Sequence, residues 1–181
     1  MRLKERESAP LFRVEDTEAE IFDMYKPKSK PLMLAFFRYA SCPLCNLRVH
    51  ELIENYDKYK DKIEIVLIFQ SPKEKIAQYV GRQEIPYCIL PDPQKRLYRL
   101  YGVESSWLGF AKAWTLEIKR VFEAVIKNGY LPGTVEGEIH RIPADFIISR
   151  ENKIVKAFYG KDIGDHMPLD EIDAVLQKGQ S

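Results

Sequence analysis

The chain has 181 residues, the size of a single domain. Its 28 Lys and Arg against 27 Asp and Glu leave a net charge of +1, without the basic excess of a dedicated nucleic-acid binder. At 45% hydrophobic and 30% charged residues the composition is that of a folded globule, and three cysteines are too few, and odd in number, for a disulfide framework, which fits a reducing compartment.

The N-terminal segment MRLKERESAPLFR carries charge but no apolar h-region, so no secretory signal is expected and the cytosol is the expected location. The longest apolar blocks, Pro31–Phe37 and Ile63–Phe69, fall far short of the ~20 residues that a membrane-spanning helix needs. The first thirty residues read as charged and irregular. Leu32–Phe37 is then a near-continuous apolar run, the pattern of a strand buried on both faces. It leads into Cys42-Pro43-Leu44-Cys45, after which Val49, Leu52, Ile53 and Tyr56 repeat at helical spacing.

Lys62–Gln70 reads as the next strand. Ser71-Pro72-Lys73-Glu74 carries the signature of a capping box opening a helix that Gly81 ends. Ile85–Leu90 reads as a third strand, and Asp92-Pro93 as the start of a short helix that stops at Gly102. Trp107–Lys127 carries a long amphipathic stripe, expected to be a lid or a contact with a second copy rather than a membrane element. A loop over Tyr130–Ile139 follows. Ala144–Ser149 and Ile154–Tyr159 then read as an antiparallel hairpin turning at Arg150-Glu151-Asn152, and Pro168–Lys178 as a final helix. Strand–helix alternation closed by a hairpin and a helix predicts an α/β fold with a mixed sheet flanked by helices.

The chemistry-bearing feature is the CxxC. At a helix N-terminus, free N–H groups and the positive end of the helix dipole stabilise a thiolate and lower its pKa. Three-residue spacing lets Cys42 and Cys45 meet across the first turn, so a disulfide can form and be reduced again. Half of a zinc site is the competing reading, but Cys88, His50, His140 and His166 supply no second paired motif. A CxxC beside a βαβ pattern reads instead as a thioredoxin-like redox pair. Cys88 could serve as a resolving thiol, but since Cys45 already has a partner three residues away it reads as a small buried hydrophobe within a strand. Tyr39, three residues before Cys42, is placed to shape the pocket. Asp162, Asp165 and His166 could form a metal or acid/base cluster, but a capped turn leading into the final helix explains them equally well, and they are given no role.

The segment PLMLAFFRYASCPLC resembles the active-site strand and turn of the thioredoxin superfamily, in its AhpC/TSA, peroxiredoxin-like branch. Ala9-Pro10-Leu11-Phe12, the block from Ile85 to Val103, Arg141–Ile148 and Ile154–Tyr159 are similar to further segments of that family. The resemblance implies one thioredoxin-like domain over 1–181 with a helical insertion near residues 104–140. It implies a thiol-dependent oxidoreductase without a bound cofactor or metal, reducing peroxides through a Cys42–Cys45 dithiol/disulfide cycle. A protein thiol–disulfide oxidoreductase and a redox-inert binding module are the alternatives. The partners implied are a peroxide or a protein disulfide, an external thiol reductant such as a thioredoxin or glutathione system, and a second copy in a homodimer.

Within the resemblance, Cys42 stands where the family motif PxxxTxxC has its Thr if Cys45 is the peroxidatic position, and Arg38 stands where the motif has its Pro. Arg141 falls where the family's activating arginine is expected. Pro143 looks like the thioredoxin proline that precedes the strand facing CxxC, which predicts a cis bond. The two templates disagree on the attacking sulfur. Greater exposure of the earlier residue favours Cys42 for disulfide exchange, and the TxxC alignment keeps Cys45 open for peroxide.

Overall fold

The structure, a computed structural model, describes residues 2–105, 133, 135 and 137–178. The expected helix over Trp107–Lys127 and most of the loop that follows lie outside the described residues.

A five-stranded sheet has the order β5-β4-β3-β6-β7, built from β3 (Leu32–Phe36), β4 (Glu64–Phe69), β5 (Cys88–Pro91), β6 (Ala144–Ile148) and β7 (Ile154–Tyr159). β3 runs parallel to β4 and antiparallel to β6, with Ala35 opposite Leu67 on one side and Asp145 on the other. β4 and β5 are parallel, and β6 and β7 form the expected antiparallel hairpin. The thioredoxin-like α/β arrangement with a mixed central sheet is therefore the fold observed. The short hairpin of β1 (Arg13–Glu15) and β2 (Ile21–Asp23) forms its own two-stranded sheet within the segment expected to be irregular. Strands of three residues are too short for an alternating pattern to stand out from the sequence around them.

β3 is buried at every position, and its side chains divide by parity between two cores. Met33, Ala35 and Phe37 face a cluster with α1 (Pro43–Glu54), α3 (Lys73–Tyr79) and α5 (Leu169–Lys178), and that cluster includes Cys42 and Cys45. Leu32, Leu34 and Phe36 face a second cluster with α4 (Arg96–Leu100) and the N-terminal residues Phe12 and Met24. One further turn, α2 (Tyr56–Tyr59), follows α1. Among the described residues no helix is long and apolar enough to cross a membrane.

The buried Asp92 starts α4. Its carboxylate accepts from the backbone N–H of Arg96 at 2.9 Å, of Leu97 at 2.7 Å and of Tyr98 at 3.4 Å. Asp92→Ala would leave these donors unpaired against the core and is expected to cost about 2 kcal/mol in urea unfolding, with Asp92→Asn costing less. Equal losses for both variants would show that charge rather than capping carries the effect.

Ser71 departs from its expected role. The residue capping α3 is Pro72, with no side-chain cap bond. The Ser71 hydroxyl instead accepts from the Ala40 N–H at 2.8 Å, which ties the end of β4 to the turn entering the CxxC.

Candidate active site

β3 runs out at Phe36, and the chain continues through Arg38-Tyr39-Ala40-Ser41 before α1 begins. Phe37 N–H donates to Ile68 O at 2.8 Å and Gln70 N–H to Arg38 O at 3.1 Å, so the parallel pairing with the β4 side persists past the strand ends. This fixes Arg38 at the mouth of the sheet. Cys42 is the N-cap of α1, with extended backbone (φ −70°, ψ 119°), and Pro43 follows in the first turn, where its missing N–H costs nothing. The buried Asn46 amide donates to Ala40 O at 2.7 Å and Cys42 O at 3.0 Å, clamping the turn from inside the helix.

The Cys42 sulfur takes the place of a capping oxygen. It accepts from the Cys45 backbone N–H at 3.4 Å and from Arg38 Nη1 at 3.4 Å. Both sulfurs are buried, with Cys42 1% exposed and Cys45 2%. Exposure therefore does not separate them, contrary to the expectation that the earlier cysteine is the open one; both belong to one buried cluster that also holds Ile142. Electrostatics separates them instead. Burial opposes the Cys42 thiolate, but the Cys45 side-chain hydrogen bond, the Arg38 charge and the N–H groups of Cys45 and Leu44 together bring its pKa down to about 6. Burial, the hydrogen bond to Cys42 and the Cys42 charge push Cys45 well above the ordinary thiol range. One proton shared between two adjacent sulfurs leaves Cys42 as the thiolate and Cys45 as the thiol.

Tyr39 is buried in the same cluster, its ring 5.0 Å below the Arg38 guanidinium carbon. Burial and the Cys42 charge raise its pKa, so it stays a neutral phenol beside the thiolate.

Arg141 does not meet the thiols. Its guanidinium donates to Val103 O at 2.6 Å, pairs with Glu138 at 2.8 Å and lies 5.2 Å from the Tyr98 ring centre. The arginine that reaches the sulfur is Arg38, which the sequence reading left without a site role. Its signal was a charged residue immediately after an uninterrupted apolar strand and four residues before the CxxC. Pro143 is also corrected. Among the described residues no peptide bond is cis, so the Ile142–Pro143 bond is trans. Pro143 is buried at the start of β6, where its carbonyl accepts from Gly160 N–H at 3.0 Å. This is the ordinary position for a proline at the start of a strand.

Cys88 lies on the other face of the sheet, against the second core cluster, with its thiol donating to Asp16 Oδ2 at 3.6 Å. Burial and the Asp16 carboxylate push its pKa up to about 12, so it is a poor nucleophile. Asp162 and Asp165 do cap turns, accepting from the N–H of Gly164 and of Lys161. His166 does something the turn reading missed. Its Nδ1 meets the fully buried Asp145 at 3.0 Å, and its ring packs 4.6 Å from Phe37. Among the described residues no group of three or more His, Cys, Asp or Glu is placed to hold a metal ion.

The chain is 23% identical over 137 residues to the chloroplastic peroxiredoxin Q of Triticum aestivum, covering 74% of this chain but only 63% of that protein. It is 20% identical over 156 residues to peroxiredoxin Bcp of Escherichia coli (strain K12), covering 84% of this chain and 93% of that one. The solved thiol peroxidase from Chromobacterium violaceum superposes with a TM-score of 0.69 at 12% identity, over 100% of this chain and 90% of that one, and shares the fold. The model of the AhpC/TSA family matches residues 6–157, and the chain belongs to that family.

Proposed function

We propose that this protein is a peroxiredoxin-type thiol peroxidase in which Cys42 attacks the peroxide and Cys45 resolves. The observation that carries this reading is the asymmetry of the pair: one buried thiolate held by Arg38 and a helix N-terminus, beside one buried thiol. The relatives named peroxiredoxin support the same chemistry.

In the first step the Cys42 thiolate attacks one peroxide oxygen. An S–O bond forms, the O–O bond breaks, and the departing alkoxide takes a proton to leave as an alcohol, or as water from hydrogen peroxide. Cys42 becomes a sulfenic acid, oxidised by two electrons. Arg38 holds the thiolate, and its Nε–H, buried and without a partner among the described residues, is a donor for an oxygen at the site. In the second step Cys45 sulfur attacks Cys42 sulfur. The sulfenic oxygen leaves with the Cys45 proton as water, and the S–S bond closes. An external dithiol of thioredoxin type then reopens the disulfide by exchange and is itself oxidised. A reducing compartment such as the cytosol keeps this cycle running.

Burial of both sulfurs favours a small oxidant over a protein disulfide as the substrate of the first step. Peroxide consumption supported by thioredoxin and its reductase, followed by mass mapping, tests the proposal. The expected result is catalytic turnover and a Cys42–Cys45 bridge with Cys88 unmodified. Absence of peroxide consumption, or a Cys45–Cys88 bridge, would overturn it.

A further inference from the structure

The segment over residues 137–142 is tied to the surroundings of the thiol pair by more bonds than a connecting loop needs. Gln70 grips it at both backbone groups of one residue: its amide nitrogen donates to Glu138 O at 2.9 Å, and its amide oxygen accepts from Glu138 N–H at 3.2 Å. Gln70 is itself buried, and its own backbone N–H is bonded to Arg38 O, so this clamp joins the segment directly to the strand end bearing the site arginine. The Glu138 carboxylate then collects Lys95 at 2.8 Å, Arg141 at 2.8 Å and the Ser105 hydroxyl. Arg38 Nη2 donates to Ile139 O, so the guanidinium bonded to Cys42 is also bonded to the segment. Ile142 belongs to the same buried cluster as Cys42 and Cys45, and Ile139 packs against that cluster. Gly137 (φ +89°) lets the chain pass over Gln70, because a Cβ there would stand 2.8 Å from the Gln70 amide.

We propose that residues 137–142 are the specificity element of the site, a strap latched by Gln70 and Glu138 that admits a hydroperoxide to Cys42 and excludes protein-sized reactants until it opens. This rests on Cys42 being the attacking sulfur, and it adds which reactants reach it. A peroxide needs room for two oxygens beside Cys42. A protein disulfide or dithiol must bring backbone to the sulfur, and the strap occupies the face that it would use. The oxidative half-reaction therefore proceeds with the strap shut, and the reductive half-reaction with a protein dithiol waits for it to open. Each net hydrogen bond lost from the latch raises the open population roughly fivefold, so removal of the two-bond Gln70 clamp raises it about twenty-five-fold.

The test uses the full chain carrying Cys88→Ser and compares labelling of Cys42 by N-ethylmaleimide with labelling by a maleimide bearing a long polymer. The protein without further change is expected to show a polymer-to-small rate ratio well below that of the same chain in denaturant. Gln70→Ala, Glu138→Ala and Gly137→Ala are each expected to raise that ratio, about twenty-five-fold for Gln70→Ala. The same variants are expected to speed reduction of the oxidised protein by thioredoxin more than reduction by dithiothreitol. A ratio in the folded protein equal to that in denaturant would overturn the strap, and so would variants that accelerate both reagents equally. Small-reagent labelling that falls on Cys45 instead of Cys42 would overturn the assignment beneath it, and that failure appears as the wrong residue rather than as an unchanged ratio.

Discussion

Arg38→Met is expected to slow peroxide reduction at pH 7 by roughly ten- to a hundredfold and to restore most of it near pH 9. The sign follows from which form reacts. Thiolate is the deprotonated form, and with a pKa of about 6 Cys42 is mostly thiolate at neutral pH, so the unaltered protein sits on the plateau of its rate profile. Burial alone pushes the thiol up, and Arg38 is one of the few groups opposing that. Without the guanidinium the midpoint moves upward, and each unit by which it exceeds the ambient pH costs about tenfold in thiolate. Methionine fills similar volume without leaving a second buried charge. Arg38→Lys is expected to recover only part of the rate, because an ammonium supplies the charge but not the fork that meets both Cys42 and Ile139 O. The measurement is the initial rate of Cys42 oxidation against pH. A profile in Arg38→Met that keeps its midpoint near that of the unaltered protein would show that the helix terminus and Cys45 suffice, and that Arg38 is a structural residue.

Cys42→Ser is expected to abolish peroxide consumption, a loss on the order of a thousandfold or more, since a serine hydroxyl has no comparable anion near neutral pH. Cys45→Ser is expected to behave differently. It should consume one equivalent of peroxide and then stop, with a sulfenic acid on Cys42 that a sulfenate-specific trap such as dimedone labels. The two variants share a fold and differ only in which sulfur remains, so the contrast reads the division of labour directly. A sulfenic acid formed on Cys45 in Cys42→Ser, at a rate matching the unaltered protein, would reverse the assignment and favour the alignment in which Cys42 merely replaces a threonine. The environment argues against that outcome. Cys45 lies within the first turn of α1 with the Cys42 charge beside it, and the Arg38 charge and a backbone hydrogen bond oppose that charge without offsetting it.

What the chain determines by itself is what short-range patterning can carry. Leu32–Phe36, buried at every position, announces a central strand because a run that is apolar on both parities has no solvent face to offer. The hairpin of β6 and β7 follows from two apolar runs separated by polar turn residues, and the CxxC with proline between its cysteines marks a helix start that brings two sulfurs within one turn. From these the mixed sheet, the paired cysteines at a helix start and the likeness to the AhpC/TSA family were legible. Each depends on residues a few positions apart, where local geometry follows from identity.

The tertiary structure decided what that pair is able to do. Arg38 reaches Cys42 over four residues, but it is oriented by Ile139 at a separation of 101, and Gln70 meets Glu138 across 68. Ser71 carries a capping signature, yet it is drawn to Ala40 because parallel pairing brings the ends of β3 and β4 side by side. Arg141 occupies the position where the family resemblance placed an activating arginine, and Glu138 and Val103 claim its guanidinium first. Cys88 lies on the far face because the register of β5 against β4 sets its parity. No local pattern encodes these partners, since each exists only once the sheet has closed and two distant segments share one buried volume. There, unpaired polar groups are costly enough that the available partners, rather than a residue's nominal motif, decide its role.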